Sequence, residues 1–417
     1  MKKTQNQAKF TKEMKKTHTI FLPNMLPYHN DFLKAAFRAC GYRLEICEIE
    51  DQLAENALPF ISGDYCLPAM LILGQMLAEI KAGKYPVGQI AFMEPQTGGA
   101  CRAGNYYNSI IQSLKKAGYS EIPVISLNAF GEEKHPGFSI TPKLVFGAAA
   151  AVCYGDLLMT LYQQVRPYEK RSGQAKECLE NWQKKLEEKI AGGKDISRKK
   201  RIHLYRQMVQ DFSAIPTQGK KRKRVGVAGE IYMKFSPVGN EHLEDFLQKQ
   251  DVFYRMEGFL NYVIYVVDGE RENQRLKGMN PLLLSGFDKI IRYLSAMHKD
   301  MTCVLEECGF LTEASFANLK KKSEPIIQSG CHVGDGWLIA GEVADLIEQG
   351  CDHILILHPF GCLVSHVCER GILKKLHQKY PGVNIQTIEY DYDSSKALRE
   401  SRILLGMSEF TWKDIRQ

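Results

Sequence analysis

The chain is predicted to be α/β, with two Rossmann-like, doubly wound parallel-sheet domains and a helical linking segment. Three observations carry this. Short apolar runs alternate with helix-length segments from residue 17 to residue 127. The same alternation returns from residue 224 to residue 407. And 417 residues exceed what a single hydrophobic core organises. The expected divisions are a basic tail (1–16), an amino-terminal α/β domain (17–145), a helical and basic linking segment (146–219) and a carboxyl-terminal α/β domain (220–417).

In the first domain His18–Leu22 is a short apolar strand. Asn30 and Asp31 supply side-chain oxygens that start a helix over Phe32–Cys40, and Gly41 ends it. Tyr42–Cys47 resumes an extended pattern. Leu67–Ile80 has helical spacing, Gln89–Met93 reads as strand, Gly104–Ala117 as a helix stopped by Gly118, and Pro123–Leu127 as strand. In the linking segment Phe146–Tyr168 reads as a buried helix and Ala175–Ile190 as a charged one. The second domain opens with strand Arg224–Ala228 and helix Asn240–Gln250. Phe246–Glu324 is less regular, apart from one long helix over Pro281–Lys299. Strand Asp352–His358, helix Ser365–Lys379, strand Asn384–Tyr390 and helix Ser395–Met407 close the chain.

With 44% hydrophobic and 25% charged residues, the composition excludes a disordered or fibrous protein. The net charge of +7 suggests nucleic acid until its distribution is followed. Residues 1–16 hold +5 and residues 181–224 hold +10, which leaves −8 on everything else. The run Lys220–Arg224 lies at the amino edge of its sheet and reads as a solvated linker, so no nucleic-acid partner is expected. The longest apolar run, Leu144–Tyr154, is short of the ~20 residues of a membrane span, and Met1–Lys16 lacks the apolar core of a signal peptide. A cytoplasmic location without membrane contact is expected.

Twelve cysteines in a reducing compartment are either inert core residues or metal ligands. No CxxC occurs, so finger-type and ribbon-type zinc sites are not expected, and any metal site must gather cysteines from distant segments. Three stand in similar loop-to-helix settings. Cys101 follows the strand Gln89–Met93, Cys362 follows the strand Asp352–His358, and Cys66 opens the helix that precedes the first of these strands. Ligands of open α/β sheets bind beyond the carboxyl ends of the strands, and a helix start favours thiolate. Gly98, Gly99, Gly104 and Gly361 let the backbone approach a bulky group. Any one of these cysteines alone reads as a small buried hydrophobe. Three together also suit an iron–sulfur cluster with one iron not held by them.

The motifs Gly334-Asp-Gly-Trp-Leu-Ile-Ala-Gly-Glu, His358-Pro-Phe-Gly-Cys-Leu-Val-Ser-His and Asn384-Ile-Gln-Thr-Ile-Glu-Tyr-Asp-Tyr-Asp resemble the carboxyl-terminal part of 2-hydroxyacyl-CoA dehydratase and activase-related proteins. Thr97-Gly-Gly-Ala-Cys-Arg-Ala-Gly-Asn-Tyr, Cys66-Leu-Pro-Ala, Gly155-Asp-Leu-Leu-Met, Arg166-Pro-Tyr-Glu and Gly229-Glu-Ile-Tyr are similar to motifs of the same group. The likeness runs from about residue 18 to residue 405. It implies a 4Fe–4S or double-cubane 8Fe–9S cluster held by Cys66, Cys101 and Cys362 between α/β domains. It also implies one-electron reduction of an acyl-CoA thioester to a ketyl that expels its hydroxyl, with the open iron acting as a Lewis acid. The implied partners are an ATP-hydrolysing activase, a second dehydratase-like subunit, or both, in a homo- or heterodimer. The alternative is a non-catalytic electron-transfer or scaffold subunit. The chain has no GxxxxGK[ST] loop, so ATP hydrolysis would come in trans, and Val364-Ser365 replaces the Pro-Asn common in relatives. No catalytic residue is assigned.

Other residues read more plainly. His358 and His366 are ordinary neighbours of Cys362 that could donate to sulfide, and Glu94 and Arg102 form a structural salt bridge. Cys351 lies at the wrong end of its strand and Cys153 in core. Cys368 sits one turn beyond the site, and Cys331 with His332 lies in a glycine-flanked loop. Gly226-Val-Ala-Gly229 only loosely matches a dinucleotide turn.

Overall fold

Short, largely apolar strands that pair in parallel organise both halves of the chain. The computed structural model describes residues 7–62, 65–95, 101–127, 134–193, 197–219 and 221–408. Gly98, Gly99, Lys220 and the first six residues of the basic tail lie outside the described residues.

In the first sheet β1 (Thr19–Leu22), β2 (Leu44–Ile46), β3 (Ile90–Pro95) and β4 (Val124–Leu127) take the order β2-β1-β3-β4. In the second, β5 (Arg224–Gly229), β6 (Phe253–Met256), β7 (His353–Pro359) and β8 (Asn384–Tyr390) take the order β6-β5-β7-β8. All pairs are parallel, with Phe21 opposite Phe92 in one sheet and Val227 opposite Leu355 in the other. The two-domain α/β expectation is therefore met. Both sheets reverse strand order at equivalent places, between β1 and β3 and between β5 and β7, where such sheets open a crevice.

The residues between the sheets fold into helices. Pro142–Val165 starts on Thr141, whose hydroxyl accepts the Leu144 amide at 3.2 Å. It packs on helix Asn30–Ala39 of the first half, on β6, and on helices Gln174–Ala191, Arg198–Ser213 and Pro281–Glu307. By length and composition this helix could cross a membrane, yet most of it is buried inside the protein. The basic stretch after it is a helix as well. There Arg201 is buried, and Arg198 grips Asp300 with two nitrogens at 2.7 and 2.9 Å.

Several elements depart from the sequence reading. The region read as irregular holds β6 and helix Leu260–Leu276. The helix expected over Ser365–Lys379 is two helices, Leu363–Cys368 and Leu373–Lys379, separated by a turn at Arg370–Ile372 that contains Gly371. Gly226 is a strand residue rather than part of a phosphate-binding turn. A Cβ there would lie 2.7 Å from Ile354 Cδ1, so it serves close packing of β7 and helix Gly336–Glu348.

Candidate functional site

Each of the three cysteines stands just before a helical turn with extended backbone. Cys66 precedes helix Leu67–Ala82, Cys101 precedes the turn Arg102–Asn105, and Cys362 precedes helix Leu363–Cys368. The Cys362 Sγ accepts the Ser365 amide at 3.5 Å. The amides of Ala69 and Ala103 favour the thiolates of Cys66 and Cys101 in the same sense.

These cysteines come together. Half-buried Cys101 packs on the small apolar cluster of Cys362, Val364 and Cys368, and it feels the charge of Cys66. The Tyr106 hydroxyl meets the Cys66 Sγ at 2.6 Å and also faces Cys101. Glu230 acts electrostatically on all three thiols. Its place is set by Gly229, the last residue of β5, at φ +134°. A Cβ there would lie 2.1 Å from the Leu357 carbonyl oxygen, so only glycine allows β5 to end against β7. The Glu230 amide then donates to Leu357 O at 2.8 Å, and its Oε2 accepts the Met233 amide at 2.9 Å. Glu230 and Cys362 thus flank the crevice where the second sheet reverses its order.

Burial governs the electrostatics. It pushes the Cys101 thiol up to about 11 and raises Cys66 and Cys362 as well. It also pushes Glu230 up to about 7. Asp335 is held well above the carboxyl range, first by burial and then by Glu230. Positive charge is scarce: Arg102 favours the Cys66 thiolate, while Lys234 is committed to Glu342 at 2.9 Å. The region therefore gathers three thiols and two carboxyls whose protonated forms burial favours and no free counter-charge opposes, and a positively charged metal group supplies such a counter-charge. Helix Leu260–Leu276 adds Tyr262, which faces Cys101 and Glu230, and Tyr265, whose buried hydroxyl has no hydrogen-bond partner. Among the described residues no three His, Cys, Asp or Glu side chains meet closely enough to share one metal ion. A cluster spreads its ligand sulfurs over several irons and does not need that convergence.

The other residues singled out from sequence fall as follows. His358 is fully buried, with Nδ1 3.4 Å from Pro359 O and 3.9 Å from Glu389, and burial pushes it down to about 4. Glu94 and Arg102 do not pair. Glu94 is buried beside Tyr232 and pushed up to about 8, and the Arg102 guanidinium lies 6.0 Å from the centroid of the Tyr65 ring. Cys153 and Cys351 are core. Cys331 is exposed, and His332 binds Asn273 at 3.0 Å. Cys368, placed beyond the site from sequence, joins Cys362 and Cys101 in one cluster. Of the basic run, Arg222 pairs with Asp251, Lys223 donates to Met407 O at 2.7 Å, and Arg224 to Gln349 O at 3.0 Å.

Sequence reasoning passed over Glu230, Asp335, Tyr106 and Tyr262. Three of them lie in or beside quoted motifs, and Glu230 directly follows a strand, which is the available signal. No protein-family model, curated protein or solved structure matches the chain.

Proposed function

We propose that the chain is the cluster-bearing subunit of a dehydratase or reductase that resembles the 2-hydroxyacyl-CoA dehydratases. Cys66, Cys101 and Cys362 hold an iron–sulfur cluster, and an ATP-hydrolysing activase supplies electrons in trans. One observation carries this reading: three thiols from three separate helix starts lie around one half-buried carboxyl, Glu230, that follows the end of β5. The donor set fits, since thiols and acids without counter-charge accept a cationic group readily. A bound cluster supplies low-potential electrons and, at an iron without a cysteine ligand, a Lewis-acidic position for a substrate oxygen.

The chain's own groups do the rest. Glu230, pushed up to about 7, holds a proton at its carboxyl beside the thiols, where a departing hydroxyl of an acyl-CoA substrate would need one. Burial of Tyr106, Tyr262 and Asp335 excludes water from that side. Phe360, Leu363 and Val367, exposed by 56, 63 and 54%, form an apolar rim beside Cys362 that suits a docking protein. The same rim favours the second reading, an electron-transfer or scaffold subunit that works within a complex. All twelve cysteines are unpaired, which supports a reducing, cytoplasmic setting.

Anaerobic purification, iron and acid-labile sulfide assay, and low-temperature EPR of the reduced protein test the proposal. Iron, sulfide and a reduced-cluster signal are expected, all lost in Cys101→Ser. A colourless, iron-free protein under those conditions overturns it.

A further inference from the structure

Cys66 meets a phenol, that of Tyr106. Tyr106 is 6% exposed and Cys66 7%, and the phenol oxygen lies 2.6 Å from the sulfur. Tyr106 is the first residue of helix Tyr106–Lys116, which the turn Arg102–Asn105 joins directly to Cys101. One short segment therefore presents a cysteine and, five residues on, the hydrogen-bond partner of another.

We infer that Tyr106 is a positioning residue that donates its phenolic hydrogen to the Cys66 sulfur and thereby raises the reduction potential of the group bound there. The inference rests on the cluster reading above. A metal-bound thiolate has no proton to give, so in the loaded protein the phenol, which keeps its hydrogen at neutral pH, must be the donor. An electron added to a cluster increases the negative charge on its sulfurs, so the hydrogen bond strengthens in the reduced state. Hydrogen bonds to the sulfurs are among the levers that set cluster potential. Burial excludes water as a replacement donor, so losing the hydroxyl goes uncompensated. Phenylalanine keeps the ring and removes only that donor.

The test compares the full-length chain with Tyr106→Phe, both reconstituted anaerobically with ferrous iron and sulfide. Equal iron and sulfide per chain are expected. In an EPR-monitored redox titration the variant's reduction equilibrium moves about tenfold toward the oxidised state, a lowering of about 59 mV for one electron. Tyr65→Phe, which loses a phenol bonded to Ser109 instead, keeps the wild-type potential. Should Tyr106→Phe fold poorly, 3-fluorotyrosine at position 106, a stronger donor, shifts the potential upward. An unchanged midpoint in a fully loaded variant overturns the inference. If neither protein takes up iron, the cluster reading falls, and the hydrogen bond is judged on the metal-free chain. There, iodoacetamide alkylation of Cys66, followed on its peptide by mass spectrometry, is several-fold slower in Tyr106→Phe. An equal rate overturns the inference.

Discussion

At Cys101 two opposed effects meet: the amide at the helix start favours thiolate, and burial disfavours it more strongly. A thiol held up to about 11 leaves roughly a thousandth of its population as thiolate at pH 8. In the metal-free protein Cys101 should therefore alkylate far more slowly than exposed Cys308, which peptide mass spectrometry after timed iodoacetamide treatment will check. A Cys101 rate equal to that of Cys308 would contradict the burial. Glu230 carries a pH signature of known sign. Its folded value, about 7, lies above the ordinary 4.5, so between those values the unfolded chain has released a proton that the folded chain keeps. Stability of the metal-free protein falls as pH rises through that window, and Asp335 acts in the same direction. Glu230→Gln removes this share, so the variant gains on wild type by on the order of 2 kcal/mol between pH 4.5 and pH 7.5. Urea midpoints at the two pH values measure it, and a constant difference would show Glu230 to be freely hydrated. Glu230 was passed over in the sequence because its role depends on β5 lying beside β7, more than a hundred residues on.

At the scale of elements, what was legible depended on whether the signal was local. Strands such as β3 and β7 hold unbroken apolar runs, Ile90–Met93 and Ile354–Leu357, and these runs alone mark them. β6 escaped because Phe253–Met256 is only four residues long and has Arg255 in its middle, buried at 3% exposure. Helix Leu260–Leu276 escaped for a different reason. It has no side-chain cap from its own N-cap residue, and its start is held by Asp156, a hundred residues earlier. The Asp156 carboxylate accepts the amides of Phe259 at 2.7 Å and Leu260 at 2.8 Å and meets His29 Nε2 at 2.8 Å. This one side chain ties the long central helix to the amino-terminal half and to the helix that carries Tyr262 and Tyr265. Asp156→Ala leaves two amides and a buried imidazole without their partner, at an expected cost of about 3–5 kcal/mol in chemical denaturation. A loss below 1 kcal/mol would mean that helix Leu260–Leu276 needs no such anchor. Gly229→Ala tests the strand end in the same way. Its Cβ would enter the Leu357 carbonyl, so a loss of roughly 3 kcal/mol or more is expected, together with displacement of Glu230.

Across the whole molecule the two sheets repeat one strand order, and Cys101, after β3 of one, packs on Cys362, after β7 of the other. The placement of Cys101 and Cys362 beyond strand ends was legible from strand order along the chain. The first two helices that link the halves were legible as helices, but their packing on β6 and on helix Asn30–Ala39 was not, because it is tertiary. Two of the thiols belong to the amino-terminal half and one to the carboxyl-terminal half, so any group bound by all three staples the halves together. Without it, burial favours the neutral thiols, and Cys101 joins the halves only by packing on Cys362 and Val364. A group that binds only the folded chain adds stability by mass action, about 4 kcal/mol when present at a thousand times its dissociation constant. The reconstituted protein should therefore melt several degrees above the metal-free protein, in one transition that includes both halves. Cys66→Ser and Cys362→Ser, one from each half, should each abolish the increment while leaving the metal-free melting temperature nearly unchanged. Anaerobic calorimetry of the three proteins, each metal-free and reconstituted, decides it. An increment that survives Cys362→Ser would place the bound group within the amino-terminal half alone.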